Sequence, residues 1–128
     1  RFPDRVTFNL PSKDRSPIDA DLESAGILIT AGSTSGIDAL RMGVPVVTVE
    51  GPPTFVVPPY VKAGTTTHVG HGQDLTEALR ALLANGAPAD VQERAEKWVA
   101  HFYGPADGHA ADRIAQVIRP LFVSQVQK

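Results

Sequence analysis

The sequence predicts an α/β fold, a Rossmann-like three-layer parallel sheet followed by a helical C-terminal tail. Residues 27–29 and 44–49 are two short apolar runs rich in β-branched residues, as expected for strands that are covered on both faces. Between them Ile37 and Leu40 recur at helical spacing, and Gly43 provides a stop. Strands that alternate with helices in this way are typical of a doubly wound parallel sheet.

The N-terminal part predicts one further strand and one helix. Residues 5–10 have the pattern of a first strand of moderate quality. Ser16 is a suitable N-cap and Pro17 suits a first helical turn, so we expect a helix that closes at Gly26. A length of 128 residues is that of one domain with a sizeable core, and we expect residues 1–128 to form it.

Residues 51–72 are predicted to form a long loop. The first half is too rich in proline for a central strand or a helix, and only residues 65–69 have the pattern of a short edge strand. Loops of this length in compact domains are usually functional or disordered, and the aromatic Tyr60 argues against disorder. We expect the loop, with Gly51 and Pro52 at its start, to pack over the rim of a ligand cleft. The alternative is that it only wraps the sheet edge.

The rest of the chain predicts three helices. Asp74 fits the N-cap of the first, and Gly86 follows it as a stop. Pro88 opens the second helix, and a third begins near Asp107. Pro120 is predicted to kink or end that last helix, because it lacks a backbone donor and crowds the preceding turn.

A loop of small, mostly hydroxylated residues lies between the first apolar run and the helix after it. A helix N-terminus has free N–H groups and a partial positive charge, and glycines let an anion approach the backbone. Ligands of parallel sheets bind beyond the carboxyl ends of the strands, where this loop falls. The loop is therefore a candidate phosphate cradle, although a plain turn with a serine N-cap explains the same residues equally well. Its members are Gly32, Ser33, Thr34, Ser35 and Gly36.

Asp38 follows this loop within the first turn or so of the helix. A carboxylate there can favour the positive end of the helix dipole, which is a structural role. Acidic residues near nucleotide phosphates can also accept hydrogen bonds from a ribose. Once the phosphate loop is accepted, the ribose role is the favoured interpretation.

Two of the four histidines, His68 and His71, lie close to the predicted cleft loop. Their spacing could suggest a metal pair, but no acidic partner is near and no firm element fixes the spacing, so we expect no metal site. One of them could contact a phosphate. His101 reads as a surface or core-edge residue, and His109 as part of a helix cap.

Composition excludes several classes of protein. A net charge of −2 and the absence of basic runs give no reason to expect a nucleic-acid partner. No cysteine is present, so thiolate chemistry and disulfides are excluded. No run is long enough for a membrane helix, and no signal peptide is recognised, so we expect a cytoplasmic location. Because the chain opens with Arg1 directly into a strand-like segment, we expect it to be a piece of a longer polypeptide.

Three common catalytic motifs are also absent. The loop at residues 32–36 has no Walker lysine, which argues against nucleotide hydrolysis of that kind. There is no G-x-S-x-G elbow for a serine hydrolase and no G-x-G-x-x-G fingerprint for a simple NAD domain.

Residues 30–47 carry a family resemblance. The segment Thr-Ala-Gly-Ser-Thr-Ser-Gly-Ile-Asp-Ala-Leu-Arg-Met-Gly-Val-Pro-Val-Val resembles the donor-site segment of GT-B fold glycosyltransferases. It is similar to those of capsule and surface polysaccharide synthesis, to glycerophosphotransferases of teichoic acid synthesis and to UDP-N-acetylglucosamine 2-epimerases. Residues 107–115, Asp-Gly-His-Ala-Ala-Asp-Arg-Ile-Ala, resemble the start of the closing helix of the polysaccharide-type members. With the helices between them, the two segments cover most of residues 17–122.

The resemblance implies a C-terminal half that binds an activated sugar, the nucleotide-sugar donor being a substrate and no cofactor being required. The loop from Gly32 to Gly36 would hold the phosphates and Asp38 the ribose. The catalytic base and the site for a glycan or lipid-linked acceptor would lie on an N-terminal half that is not in this chain. Through that full-length enzyme the protein would be cytoplasmic or peripheral at the inner face of the membrane.

The chain departs from the family at one position. The family usually has glutamate where Asp38 stands, and the epimerases have a doubled glutamate that Ile37-Asp38 lacks. This favours a transferase. The alternatives are a UDP-sugar 2-epimerase domain and a non-catalytic α/β binding module.

Overall fold

The computed structural model describes residues 17–52, 56–105 and 107–123. In these residues one sheet contains three parallel strands in the order β1-β2-β3. The strands are β1 (Leu28–Thr30), β2 (Val46–Val49) and β3 (Thr67–Val69). The predicted α/β class and the predicted edge strand are confirmed. The predicted strand at residues 5–10 and the predicted cap at Ser16 lie outside the described residues.

Six helices accompany these strands in the described residues. They are α1 (Pro17–Glu23), α2 (Ser35–Arg41), α3 (Pro59–Lys62), α4 (Leu75–Asn85), α5 (Ala89–Tyr103) and α6 (Ala110–Val123). None of them is long and apolar enough to cross a membrane.

The core lies on both faces of the sheet, which gives the three layers. On one face Val46 packs with Leu22 of α1 and Ala39 of α2, all almost fully buried. On the other face Val47 and Val69 pack against Leu82 of α4. Residues 46 and 47 are neighbours on β2 and point to opposite faces, so the continuous apolar run is explained by helices on both sides.

The turn between α2 and β2 contains the helix end that was predicted at Gly43. Gly43 has a φ of 73°, and its N–H donates to the Leu40 carbonyl, while the Val44 N–H donates to the Ala39 carbonyl. This pair of bonds is a Schellman ending, in which glycine adopts the left-handed conformation without a Cβ clash. It sends the chain back into β2 parallel to β1.

Two predictions about proline-containing segments need correction. Part of the proline-rich loop is helical, because α3 begins at Pro59, where a missing N–H is tolerated in the first turn. The last helix does not end at Pro120 but continues to Val123, since a proline in the last turn removes only one hydrogen bond near an end that already lacks partners.

The final helix presents a stripe of apolar side chains that are exposed in the described part of the chain. The side chains of Ile114, Val117 and Leu121 recur at helical spacing and are exposed.

Candidate functional site

A row of polar side chains crosses the sheet at the carboxyl ends of its strands. Thr30 of β1 lies opposite Thr48 of β2, and Thr48 lies opposite His68 of β3. Residues paired in register point to the same face, so the three side chains follow one line across the sheet. This is the edge at which parallel α/β sheets bind ligands.

A cavity of about 200 Å³ opens at this edge. One side is polar and includes Thr48, Glu50 and His68. The opposite side is apolar and comes from the segment between β2 and α3. The remaining lining residues are Ala31, Val49, Gly51, Pro52, Val57, Pro58 and Val61. Gly51, Pro52 and His68 of the predicted cleft loop therefore line this cavity, and the packing of the loop over a ligand cleft stays a prediction.

The loop at residues 32–36 begins at the end of β1, next to this cavity through Ala31. Its conformation is held by Thr30, whose hydroxyl oxygen accepts hydrogen bonds from the N–H groups of Gly32 (3.0 Å) and Ser33 (2.9 Å). The Gly36 N–H donates to the Ser33 carbonyl, and the Ser35 N–H donates to the Ser33 hydroxyl. Most of the N–H groups predicted to receive a phosphate are thus already bonded within the loop.

The hydroxyl groups of the loop remain accessible. Ser33 and Thr34 are exposed and Ser35 is half-buried, so their side chains can donate to a ligand. Thr34 is the N-cap of α2 and its side chain forms no capping hydrogen bond, but the Ser33 hydroxyl accepts from the Ser35 N–H, as the serine-cap interpretation of the turn expects. An anion here would be bound mainly by hydroxyl donors and by the positive end of a short helix, and less by free backbone N–H groups.

Gly36 faces Tyr60 and not the solvent. A Cβ placed on Gly36 would lie 2.5 Å from the Tyr60 hydroxyl oxygen, so the absence of a side chain makes room for the tyrosine. That hydroxyl donates to the Ser33 carbonyl at 2.8 Å, and the Tyr60 side chain is almost completely buried. Burial raises the pKa of the Tyr60 phenol above its ordinary value.

Buried hydroxyls connect the row to the histidine. The Thr48 and Thr66 hydroxyls are hydrogen-bonded at 2.9 Å, and the Thr48 hydroxyl lies 3.2 Å from Nδ1 of His68. Thr48 and Thr66 are almost fully buried, whereas the His68 ring is exposed at the cavity. A buried polar chain that ends at an exposed imidazole fixes the orientation of that ring.

Asp38 lies in a different groove from the cavity. Its carboxylate is 3.9 Å from the Arg41 guanidinium, and it lines a surface groove with Asp19 and Glu23 of α1 and Tyr103 of α5. The Arg41 guanidinium lies over the Tyr103 ring, 5.2 Å from its centroid. The structure therefore does not bring Asp38 together with Thr48 and His68, and its contact with a ribose stays a prediction.

His71 lies beside the cavity without lining it. Its backbone N–H donates to the Glu50 carboxylate at 2.6 Å, and its ring is largely exposed, with Nε2 3.8 Å from the same carboxylate. Glu50 thus ties the end of β2 to the turn after β3. Within residues 17–52, 56–105 and 107–123, no three histidine, aspartate or glutamate side chains come together in a way that could hold a metal ion.

The second segment of the family resemblance forms a compact helix start. Both oxygens of Asp107 accept hydrogen bonds from the Arg113 guanidinium, and Oδ1 also accepts from the His109 N–H. The arginine holds the pKa of the Asp107 carboxyl below its ordinary value, with a further contribution from the His109 N–H. The predicted capping role of this region is confirmed, with Asp107 as the acceptor.

Sequence analysis missed Thr30, Thr48 and Tyr60 as parts of this site. The signal for the first two was present, because each is a hydroxylated residue near the carboxyl end of an otherwise apolar strand. Tyr60 carried no such signal, since its contact with Gly36 joins residues far apart in the chain.

Comparison with protein-family models, with curated proteins and with solved structures gave no significant match. The interpretation of the site therefore depends on its own geometry and on the sequence pattern of residues 30–47.

Proposed function

We propose that this chain is the donor-binding half of a GT-B type glycosyltransferase and that it binds a nucleotide-activated sugar at the carboxyl edge of its sheet. The enzyme would act in the synthesis of a surface polysaccharide or another glycoconjugate. The glycan or lipid-linked acceptor and the catalytic base would be supplied by an N-terminal half.

The observation that carries this proposal is the cavity at the carboxyl edge of the sheet, which Ala31, Thr48 and His68 help to line and which the hydroxyl loop adjoins through Ala31. It lies where ligands of parallel sheets bind, and it combines an apolar wall with a few convergent polar groups, as small-molecule sites do. Its volume of about 200 Å³ is below that of a typical ligand pocket, so it fits one part of a nucleotide sugar, with the rest of the ligand extending over the adjacent loop.

The chemistry of the proposed site is electrostatic. The hydroxyls of Ser33, Thr34 and Ser35 would donate to the diphosphate, and the start of α2 would contribute its partial positive charge. Stabilising charge on the leaving nucleotide in this way lowers the barrier to transfer of the sugar. No catalytic base is assigned to this half.

Calorimetric titration of the 128-residue chain with UDP, CDP, GDP and CMP tests the proposal. We expect binding by at least one nucleoside diphosphate and weaker binding of the corresponding nucleoside. A folded chain that binds none of these nucleotides would contradict the proposed function. A Ser33→Ala/Ser35→Ala variant is expected to lose about a hundredfold in affinity, since each lost hydrogen bond to a charged group removes about 1.5 kcal/mol and about 1.4 kcal/mol is tenfold.

One observation favours a second candidate, a non-catalytic α/β binding module. The loop satisfies most of its N–H groups internally through Thr30 and Ser33, as a structural turn does. This candidate predicts that the Ser33→Ala/Ser35→Ala variant leaves ligand binding unchanged, so the same titration separates the two.

A further inference from the structure

Three features of the His68 side chain set it apart from the other histidines. Its ring lies in the wall of the cavity, Nδ1 is within hydrogen-bonding distance of Thr48, and Nε2 takes no hydrogen bond from the described residues. By contrast, His71 lies outside the wall, and His109 pairs with Asp112 on the surface. His68 is thus held at one nitrogen and available at the other.

The hydroxyl chain behind His68 can run in two directions, and in one of them both hydroxyls donate to a partner within the chain. If Thr66 donates to Thr48 and Thr48 donates to Nδ1, both buried hydroxyls are satisfied and the neutral ring carries its proton on Nε2. A hydrogen-bond donor then points at the cavity. A pair of valines would fill the same space without buried polar groups, so packing alone gives no reason for this chain.

The position of His68 tells which part of a ligand it would meet. Two strand spacings separate Thr30 from His68, a distance of about 10 Å. A phosphate held at the hydroxyl loop beyond Thr30 is therefore out of reach of His68. A group that reaches the histidine would instead lie in the cavity, against the apolar side chains of Val57, Pro58 and Val61.

We propose that His68 donates a hydrogen bond through Nε2 to an oxygen atom of a six-membered ring held in this cavity, and that Thr48 positions the imidazole. The ring is the pyrimidine base or the hexose of the bound nucleotide sugar, both of which present oxygen acceptors. This inference rests on the proposed function and names His68 as a residue that recognises the ligand by a hydrogen bond.

Nitrogen-15 and carbon-13 NMR of the histidine side chains tests the contact directly. The wild-type chain is titrated with UDP and, separately, with UDP-N-acetylglucosamine. We expect the His68 Nε2 resonance to shift on binding while those of His71, His101 and His109 stay in place. A shift with UDP assigns the base to the cavity, and a shift only with the sugar nucleotide assigns the sugar.

Matched variants test the positioning role. His68→Phe keeps a flat ring but removes the donor and is expected to weaken binding about tenfold. Thr48→Val/Thr66→Val removes both buried hydroxyls together and is expected to change the tautomer ratio of His68 and to weaken binding about threefold. Thr66→Val and His71→Gln are controls that leave the Thr48–His68 contact intact, and their affinities should equal that of the wild type.

The outcomes separate the inference from the function on which it rests. Binding of a nucleotide without any change in the His68 resonances overturns the inference and leaves the proposed function standing. Failure of the chain to bind any of UDP, CDP, GDP, CMP and UDP-N-acetylglucosamine overturns both, and binding of GDP alone overturns the inference. Because the NMR measurement uses the wild-type chain, it decides the question even if a variant does not fold.

Discussion

The Tyr60 hydroxyl donates a 2.8 Å hydrogen bond to the Ser33 carbonyl, and its ring occupies the space that a side chain at position 36 would need. Ser33 belongs to the hydroxyl loop after β1, and Tyr60 belongs to α3. Trp98 of α5 packs edge-on against the tyrosine ring from behind, at a centroid distance of 6.2 Å. Tyr60 therefore connects the hydroxyl loop, the proline-rich segment and α5.

Replacing Gly36 with alanine should destabilise the domain. The new Cβ would lie 2.5 Å from the Tyr60 hydroxyl oxygen and 2.7 Å from Cζ, and the buried ring has no free direction in which to move. Overpacking of this kind lowers the free energy of unfolding by about 1–3 kcal/mol. Urea denaturation measures it, with Gly26→Ala as the matched control, because nothing lies within 4 Å of a Cβ at position 26. Equal stabilities for the two variants would contradict the packing role of Gly36.

Tyr60→Phe should lower stability modestly and change its dependence on alkaline pH. The variant keeps the ring against Trp98 but loses the bond to Ser33, at a cost of about 1 kcal/mol. Burial raises the pKa of Tyr60, so the folded state holds its proton more tightly than the unfolded state. The resulting stabilisation is present below pH 10 and is lost as the pH rises through the folded pKa.

The measurement is the free energy of unfolding of both proteins between pH 8 and pH 11. The wild-type advantage should shrink above pH 10. If the difference between the two proteins stays constant over this interval, the tyrosine does not titrate as its burial requires.

The elements that the sequence predicts well are those with local signals. The apolar runs of β1 and β2, the glycine after α2 and the aspartate cap of α4 each depend on a few neighbouring residues, and all appear where expected. Asp74 accepts from the Thr76 N–H at 2.7 Å, as an N-cap should.

The candidate site is less predictable because it depends on register and on packing between distant segments. The row from Thr30 through Thr48 to His68 exists only because the strands pair in one particular alignment. Asp38 is a residue whose position on a helix is predictable from the sequence, although its side-chain contacts are not. Its place in the first turns of α2 is predictable, but its side chain joins Arg41 on the face toward α1 and α5 instead of the cavity.

Asp107→Asn should loosen the start of α6 in a pH-dependent way. The Arg113 guanidinium and the His109 N–H both donate to this carboxylate and lower its pKa, so its contribution is present above the ordinary pKa of an aspartate and is lost as the pH falls through the folded value. We expect faster amide exchange at residues 110–113 in the variant at neutral pH, and a difference from wild type that disappears as the pH falls through the folded pKa of Asp107.

Asp112→Asn is the matched control for that measurement. Asp112 is on the same helix start but contacts only the His109 ring among the contacts described for it. Protection of residues 110–113 should remain at the wild-type level in this control. Loss of protection in both variants would mean that negative charge near the start of α6, and not the hydrogen bonds of Asp107, stabilises this end of the helix.

Thr30→Val should release the loop at residues 32–36. The Thr30 hydroxyl oxygen accepts from two successive N–H groups, those of Gly32 and Ser33, and valine has the same shape without an acceptor. Both donors would turn to solvent, because they are half-buried or exposed and lose their only fixed partner. Amide exchange at Gly32 and Ser33 should then accelerate about tenfold, since losing a net bond of about 1.4 kcal/mol changes the local opening equilibrium by that factor.

Thr30→Ser is the matched control, because it keeps the hydroxyl and should retain slow exchange. It should also retain nucleotide affinity where Thr30→Val loses it. Slow exchange in both variants would show that the loop holds its conformation through Tyr60 and Ser33 alone, and the start of the proposed site would then have to be assigned to those two residues.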